Sequence, residues 1–163
     1  MAPVNPDDFK GALGSWAAGV TVVTTRHNGL VYGITASSFS SLSLDPLLVL
    51  VCIARSNHLA DLVPQSGRYA VTVLAEGQDE ISNWFAISGR DPVPAYDEFD
   101  TFELETGSPL IRGGIAHLDC ELEDALPGGD HIIAVGRVVA ASFDPGARPL
   151  VYFRRGYRRL LLD

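Results

Sequence analysis

From Val20 the chain alternates with a period of two. The stretch "VTVVTTRHNGLVYGITA" holds two β-branched runs joined by Asn28-Gly29, a pair suited to the left-handed backbone of a two-residue hairpin turn. Two antiparallel strands are predicted. "PLLVLVCIA" is apolar throughout, which predicts a strand covered on both faces, and "RYAVTVLA" predicts another. In "AHLDCELE" the alternation is strict, with Ala116, Leu118, Cys120 and Leu122 pointing one way and His117, Asp119, Glu121 and Glu123 the other. That segment and "HIIAVGRVVAASF", separated by "PGGD", predict two long strands. "PLVYF", "RRG" and "YRRLLL" predict a closing hairpin.

Helical spacing occurs in three places. "NPDDFKGALGSWAAG" has Phe9, Leu13, Trp16 and Val20 three or four apart, with Pro6 and two aspartates in the opening turn, and predicts an amphipathic helix. "SNHLADLVPQSG" predicts a short helix ended by Pro64 and Gly67, and "GQDEISNWFAISG" puts Ile81, Trp84 and Phe85 on one helical face. Residues 88–113, rich in Gly, Pro and Asp, predict a long irregular excursion with short strand pieces, the kind of loop that serves function or an interface. Successive hairpins, few helices and no regular βα alternation predict a mainly β fold, a closed or nearly closed barrel with peripheral helices.

The 163 residues, 47% hydrophobic and 20% charged, fit one domain spanning residues 1–163 with a continuous core. The N-terminal "MAPVNPDDF" lacks a basic region followed by an apolar run, and no apolar segment is long enough to cross a bilayer. A cytoplasmic protein without a membrane partner is expected. A net charge of -8 argues against nucleic-acid binding. "YFRRGYRR" nevertheless gathers Arg154, Arg155, Arg158 and Arg159, as a solvated strand face or as an anion patch. Cys52 and Cys120 lie in apolar runs and read as buried free thiols, with neither a disulfide framework nor a metal site indicated. There is no dinucleotide-binding glycine motif, phosphate loop, zinc-protease motif, nucleophile elbow or internal repeat.

Two stretches carry candidate chemistry. "TASSFSSLS" places six hydroxyl side chains in nine residues, as a plain turn or as a wall of small donors for an anionic ligand, to which Arg55-Ser56 could add a guanidinium contact. In "PGGDHIIAVG", His131 follows a tight turn at the start of a strand, where it either faces a ligand or packs, while Asp130 is expected to satisfy the turn's N–H groups.

The ordered set "GVTVVTT", "GITASSFSSLSLDPLLVLVC", "RYAVTVLAEGQDEIS", "FA", "GIAHLDCELEDALPGGDHIIAVGRV" and "PLVYFRRGYR" resembles the flavin reductase-like, FMN-binding split-barrel family, in particular the short reductase components of two-component flavin monooxygenases. The resemblance covers nearly the whole chain. It implies a homodimeric split barrel that binds FMN, or FAD, and reduces it with NADH or NADPH for a partner monooxygenase. Carried over, Thr35, Ala36, Ser37, Ser38 and Ser43 meet the flavin, and Cys52, Arg55 and Ser56 flank its ribityl chain and phosphate. His131 sits by the nicotinamide and flavin rings, with Tyr152 and Arg158 bordering the same pocket. Two departures stand out: Ser37 replaces an asparagine found in many relatives, and Asn57-His58-Leu59 follows the arginine-serine pair where many continue with Ser or Thr.

Hydride transfer is the cofactors' own chemistry, which suits a sequence without an evident acid, base and nucleophile set. The resemblance therefore implies an NAD(P)H:flavin oxidoreductase. The alternative from another class is a flavin-binding redox or carrier module without reductase turnover, and a hydrolase is disfavoured by the missing nucleophile elbow.

Overall fold

The computed structural model describes residues 3–161. In chain order they form α1 (Pro6–Leu13), β1 (Ala18–Gly19), β2 (Thr21–His27), β3 (Leu30–Ala36), β4 (Ser40–Leu44), β5 (Leu47–Ala54), α2 (Leu59–Ser66), β6 (Arg68–Val73) and α3 (Asp79–Phe85). Then come β7 (Thr101–Phe102), β8 (Leu110–Ile111), β9 (Ala116–Gly128), β10 (His131–Phe143), β11 (Val151–Phe153) and β12 (Gly156–Arg158). Asn28 and Gly29 take φ of 50° and 78°, so the β2–β3 hairpin closes on the two residues its sequence provides.

Seven strands make one antiparallel sheet in the order β3-β2-β6-β9-β10-β5-β4. A single apolar cluster collects Val23 from β2, Tyr32 from β3, Val51 and Ile53 from β5, Val71 from β6 and Ala134 from β10, with Leu59 and Val63 of α2. Strands from both ends of the sheet share this core, so the sheet is rolled, with α2 packed into it. This is the expected barrel with peripheral helices. A second cluster, containing Val22, Val31, Phe85, Tyr96 and Ile111, lies on the outer face of β2 and β3 beneath α3 and the irregular excursion. Val31 and Val93 exchange both backbone hydrogen bonds, at 2.7 and 3.0 Å, which covers part of the β3 edge.

The excursion also covers part of the polar face of β9. His117 and Asp119 do face away from Cys120, but residues 100–113 cover them. Asp119 is fully buried and accepts from the Thr106 N–H at 2.6 Å and the Thr106 hydroxyl at 2.5 Å, while His117 Nε2 meets the Ile111 carbonyl at 2.8 Å. A buried carboxylate needs such partners, and here they anchor the loop to the sheet.

Two further expectations are met in part. On β5, Val49, Val51 and Ile53 enter the core, whereas Leu48, Leu50 and Cys52 are half-buried, so only one face is fully covered within the chain. Helix α1 forms, with the Asn5 side chain accepting from the Asp7 N–H at 3.0 Å and Asp7 and Asp8 in its first turn. It ends at Leu13, however, and Phe9, Leu13 and Trp16 remain 57%, 58% and 76% exposed. The closing hairpin turns on Arg154 and Arg155, both at positive φ, and residues 159–161 leave the sheet; Leu162 lies outside the described residues. Among the described residues, no helix is long and apolar enough to cross a membrane.

Gly136 on β10 has a packing reason: a Cβ there would lie 2.3 Å from the Tyr69 hydroxyl oxygen, and Tyr69 is fully buried. Gly136→Ala is therefore expected to lower stability by about 1–3 kcal/mol in urea unfolding, as overpacking does, and an unchanged midpoint would refute this packing account. The two thiols should also differ. Burial, reinforced by the charge of Asp119, pushes the Cys120 thiol up to about 12, while Cys52 is half-buried. A thiol reagent at about pH 8 should modify Cys52 in the folded protein and Cys120 only after unfolding. Equal rates for both in the native state would contradict the burial of Cys120.

Candidate functional site

The register of β5 against β10 builds the site. His131 pairs with Ala54 and Ile133 with Cys52, so His131, Ala54 and Cys52 share one face of the sheet. The loop of residues 37–39, between β3 and β4, comes up beside them. Its attachment is a hydroxyl: Ser38 Oγ donates to the Cys52 carbonyl at 2.8 Å and accepts from the Cys52 N–H at 3.2 Å. The end of α3 closes the other side, held by Thr35 Oγ1 donating to the Ser82 carbonyl at 2.6 Å. The result is a cleft of about 330 Å³ lined by Thr35, Ser37, Ser38 and His131, with Ile34, Phe85 and Ile87 as its apolar wall.

Most of the hydroxyl-rich stretch turns out to be committed to structure. Ser43 Oγ accepts from the Asp45 N–H at 3.2 Å and shapes the β4–β5 turn, and Ser40 Oγ donates to the Ser41 carbonyl at 3.1 Å. Half of the stretch is the edge strand β4 rather than a loop. Only Ser37 both lines the cleft and keeps its hydroxyl without a protein partner among the described residues. In addition, residues 37–39 donate none of their backbone N–H groups within the described chain. Ser37 and Ser38 line the cleft, so their unpaired N–H groups and the Ser37 hydroxyl make its rim rich in donors.

An adjoining hollow of about 410 Å³ shares Thr35, Ser37 and Ala86 with the first and adds Tyr152, Arg155 and Tyr157. The Tyr157 hydroxyl lies 2.8 Å from both Ser82 Oγ and Asn83 Oδ1, tying the final hairpin to α3. Of the residues singled out in the sequence, Thr35, Ala36, Ser37, Ser38, Cys52 and His131 line the first hollow and Tyr152 the second. Ser43, Arg55, Ser56 and Arg158 line neither. Arg55 is exposed beside the cleft: its Nε donates to the Gly129 carbonyl at 3.2 Å and its backbone N–H to the Asp130 carbonyl at 2.9 Å. Arg158 Nη1 donates to the Tyr157 carbonyl at 2.8 Å, on a groove shared with Glu76 and Arg159.

Asp130 has a partner beyond its expected turn role. Its carboxylate meets His131 Nδ1 at 2.7 Å. The hydrogen bond from His131, together with the ring's charge, holds the Asp130 carboxyl below the usual carboxylate range. The adjacency of aspartate and histidine was the available signal. Arg90 gave none, yet its guanidinium lies 3.6 Å from the Trp84 ring centroid and donates to the carbonyls of Gly33 at 3.1 Å and Ile87 at 3.3 Å. Burial pulls its pKa below the ordinary arginine value. Arg90 thus fixes the segment that supplies the cleft's apolar wall. Gly33 lets Phe85 pack against β3, since a Cβ there would be 2.8 Å from Phe85 Cε1.

No carboxylate or lysine lines the first cleft. An apolar wall facing uncommitted N–H and hydroxyl donors suits a flat ring system with an acceptor-rich edge.

Known proteins resemble the chain in sequence and in fold. The chain is 38% identical over 154 residues to the reductase subunit HsaB of a flavin-dependent monooxygenase from Rhodococcus jostii, covering 94% of this chain and 77% of the relative. It is 37% identical over 162 residues to an NADH-dependent flavin reductase from Rhodococcus sp., covering 98% and 89%. Among solved structures, the Streptomyces globisporus NADH:FAD oxidoreductase SgcE6, in complex with NAD and FAD fragments, superposes with a TM-score of 0.91 at 34% identity, covering 100% of this chain and 99% of that one. The family described as flavin reductase like domain matches residues 13–161. With a split-barrel fold and a family match over most of its length, the chain belongs to the flavin reductase-like family.

Proposed function

We propose that this protein is an NAD(P)H:flavin oxidoreductase that supplies reduced FMN or FAD to a partner monooxygenase. The observation that carries the reading is the meeting of the donors of Ser37 and Ser38 with His131 in one cleft. The two adjoining hollows, about 330 and 410 Å³, fall within the roughly 300–1,000 Å³ of small-molecule sites. A flavin and a nicotinamide nucleotide held there would themselves supply the hydride-transfer chemistry.

The chain's part is placement and charge. Thr35, Ala36, Ser37 and Ser38 would hold the ring, and the N–H groups of Ser37 and Ser38 with the Ser37 hydroxyl would stabilise negative charge on it. Cys52 and Ala54 form the floor. Arg55 keeps the N–H groups of its two Nη atoms for the phosphate, beside Ser56, while its Nε holds the Gly129 carbonyl. His131 and Tyr152 border the nicotinamide, with Arg155 in the place the sequence suggested for Arg158. Ser43 shapes the β4–β5 turn and lines neither hollow.

A homodimer belongs to the same proposal. Phe9, Leu13 and Trp16 of the N-terminal segment, and Leu44 and Leu47 at the β4–β5 edge, are between 55% and 87% exposed in one chain. A second copy covers such surface. Light scattering at micromolar concentration with flavin added is expected to give twice the chain mass, and a monomer under those conditions would sink the dimer.

The functional test is anaerobic stopped-flow. Wild-type protein with saturating FMN or FAD should bleach on mixing with NADH or NADPH, and His131→Ala should slow bleaching by about tenfold while flavin affinity stays nearly unchanged, as for a lost positioning contact. Flavin binding without bleaching by either nucleotide would leave a carrier or redox module in place of a reductase.

A further inference from the structure

We propose that Arg90 tunes the flavin from behind the cleft's apolar wall: its uncompensated positive charge stabilises the reduced form, although its side chain touches neither ligand. The inference rests on the flavin reductase reading. Phe85, Ala86 and Ile87 line the first cleft, and the Arg90 guanidinium, which does not line it, packs against that wall, 5.3 Å from the Phe85 ring centroid and 3.6 Å from that of Trp84. Its hydrogen bonds go to the carbonyls of Gly33 at 3.1 Å and Ile87 at 3.3 Å, with the Phe85 carbonyl at 3.5 Å. Among the described residues Arg90 forms no ion pair.

A charge withdrawn from water is ordinarily paired with a carboxylate, and half-buried Arg90 has only dipoles. Carbonyl groups replace part of its lost hydration without cancelling the unit charge, which an arginine keeps throughout the working pH range. Glu98, an exposed carboxylate on the excursion, acts on it from beyond ion-pair distance. Hydride transfer oxidises the nicotinamide and brings two electrons and one proton to the flavin ring, which adds one negative charge there. Arg55 beside the cleft and Arg155 in the adjoining hollow are both exposed, where water screens them. Between Arg90 and the cleft the medium is packed and aromatic, since Phe85 is 1% exposed and belongs to the outer cluster with Tyr96, Trp84 and Phe99. At an effective dielectric of about 20, a unit charge roughly 10 Å from the ring changes the preference for the reduced form by about tenfold.

The experiment separates charge from packing by measuring dissociation constants for oxidised and dithionite-reduced FMN in anaerobic equilibrium dialysis. Their ratio gives the potential of bound relative to free flavin, a tenfold change being about 30 mV for a two-electron couple. Arg90→Met keeps an unbranched stem against Trp84 but removes the charge, and should weaken binding of reduced FMN about tenfold relative to oxidised FMN. Arg90→Lys loses the planar fork yet keeps the charge, and should hold the ratio within about twofold of wild type. Arg90→His switches the charge within one protein: its ratio should match wild type at about pH 5.5 and move to the value of Arg90→Met at about pH 8. A ratio unchanged in Arg90→Met, or shifted equally in Arg90→Met and Arg90→Lys, overturns the proposal and leaves Arg90 as a clamp on the wall. Should Arg90→Met not fold, an Arg90→His ratio that follows wild type across this pH range overturns it as well. Wild type that binds neither form of FMN sinks the flavin site and this proposal together. Wild type that binds both forms but is reduced by neither nucleotide sinks the reductase reading, and the ratios still decide the role of Arg90.

Discussion

The site depends on the pairing of β5 with β10. A slip of β5 by one residue against β10 would turn Ala54 and Cys52 to the core side, away from His131, and send Val51 and Ile53 outward. The same apolar residues that hold the barrel together therefore decide which residues face the ligand. Position in the cleft is a consequence of core burial, reinforced at one point by Ser38, which stitches the loop before β4 to the Cys52 backbone. The second support is the outer cluster, where Arg90, Trp84 and Phe85 brace the segment that walls the cleft.

This arrangement reconciles an acidic protein with an electron-rich ligand. The net charge of -8 works against anions at long range, but the first cleft contains no carboxylate and presents N–H and hydroxyl dipoles at short range. The arginines at residues 154–159 lie on the final hairpin, with Arg155 at the adjoining hollow. Local donors, rather than net charge, set what the site accepts.

The barrel was readable because its signals are local and strong: Asn28-Gly29 fixes one hairpin, the β9 alternation fixes a face, and the apolar run of β5 marks a core strand. The ordered motifs then located most of the cleft. What escaped were facts of tertiary covering. His117 and Asp119 alternate as solvated residues do, but a loop whose path periodicity cannot describe lies over them. The hydroxyl-rich stretch offered six equivalent donors, and only the folded backbone distinguishes Ser37, which is free, from Ser38 and Thr35, which are bonded. Arg90 acts through stacking and carbonyl contacts that carry no sequence pattern, and on the final hairpin Arg155, in the turn, lines the adjoining hollow while Arg158, on β12, lines the groove with Glu76 and Arg159.

The central claim is that the cleft beside Ser38, Cys52 and His131 is the flavin site. Cys52 reports on it directly, since its thiol belongs to the cleft's lining while Cys120 is sealed in the core. The decisive measurement is the alkylation rate of Cys52, followed by mass spectrometry with and without saturating FMN or FAD. Bound flavin at this cleft should slow the reaction by about tenfold or more, with riboflavin effective at higher concentration because the ring supplies the cover. Flavin that binds, by fluorescence quenching, while Cys52 reacts at its unliganded rate would place the site elsewhere and contradict the account.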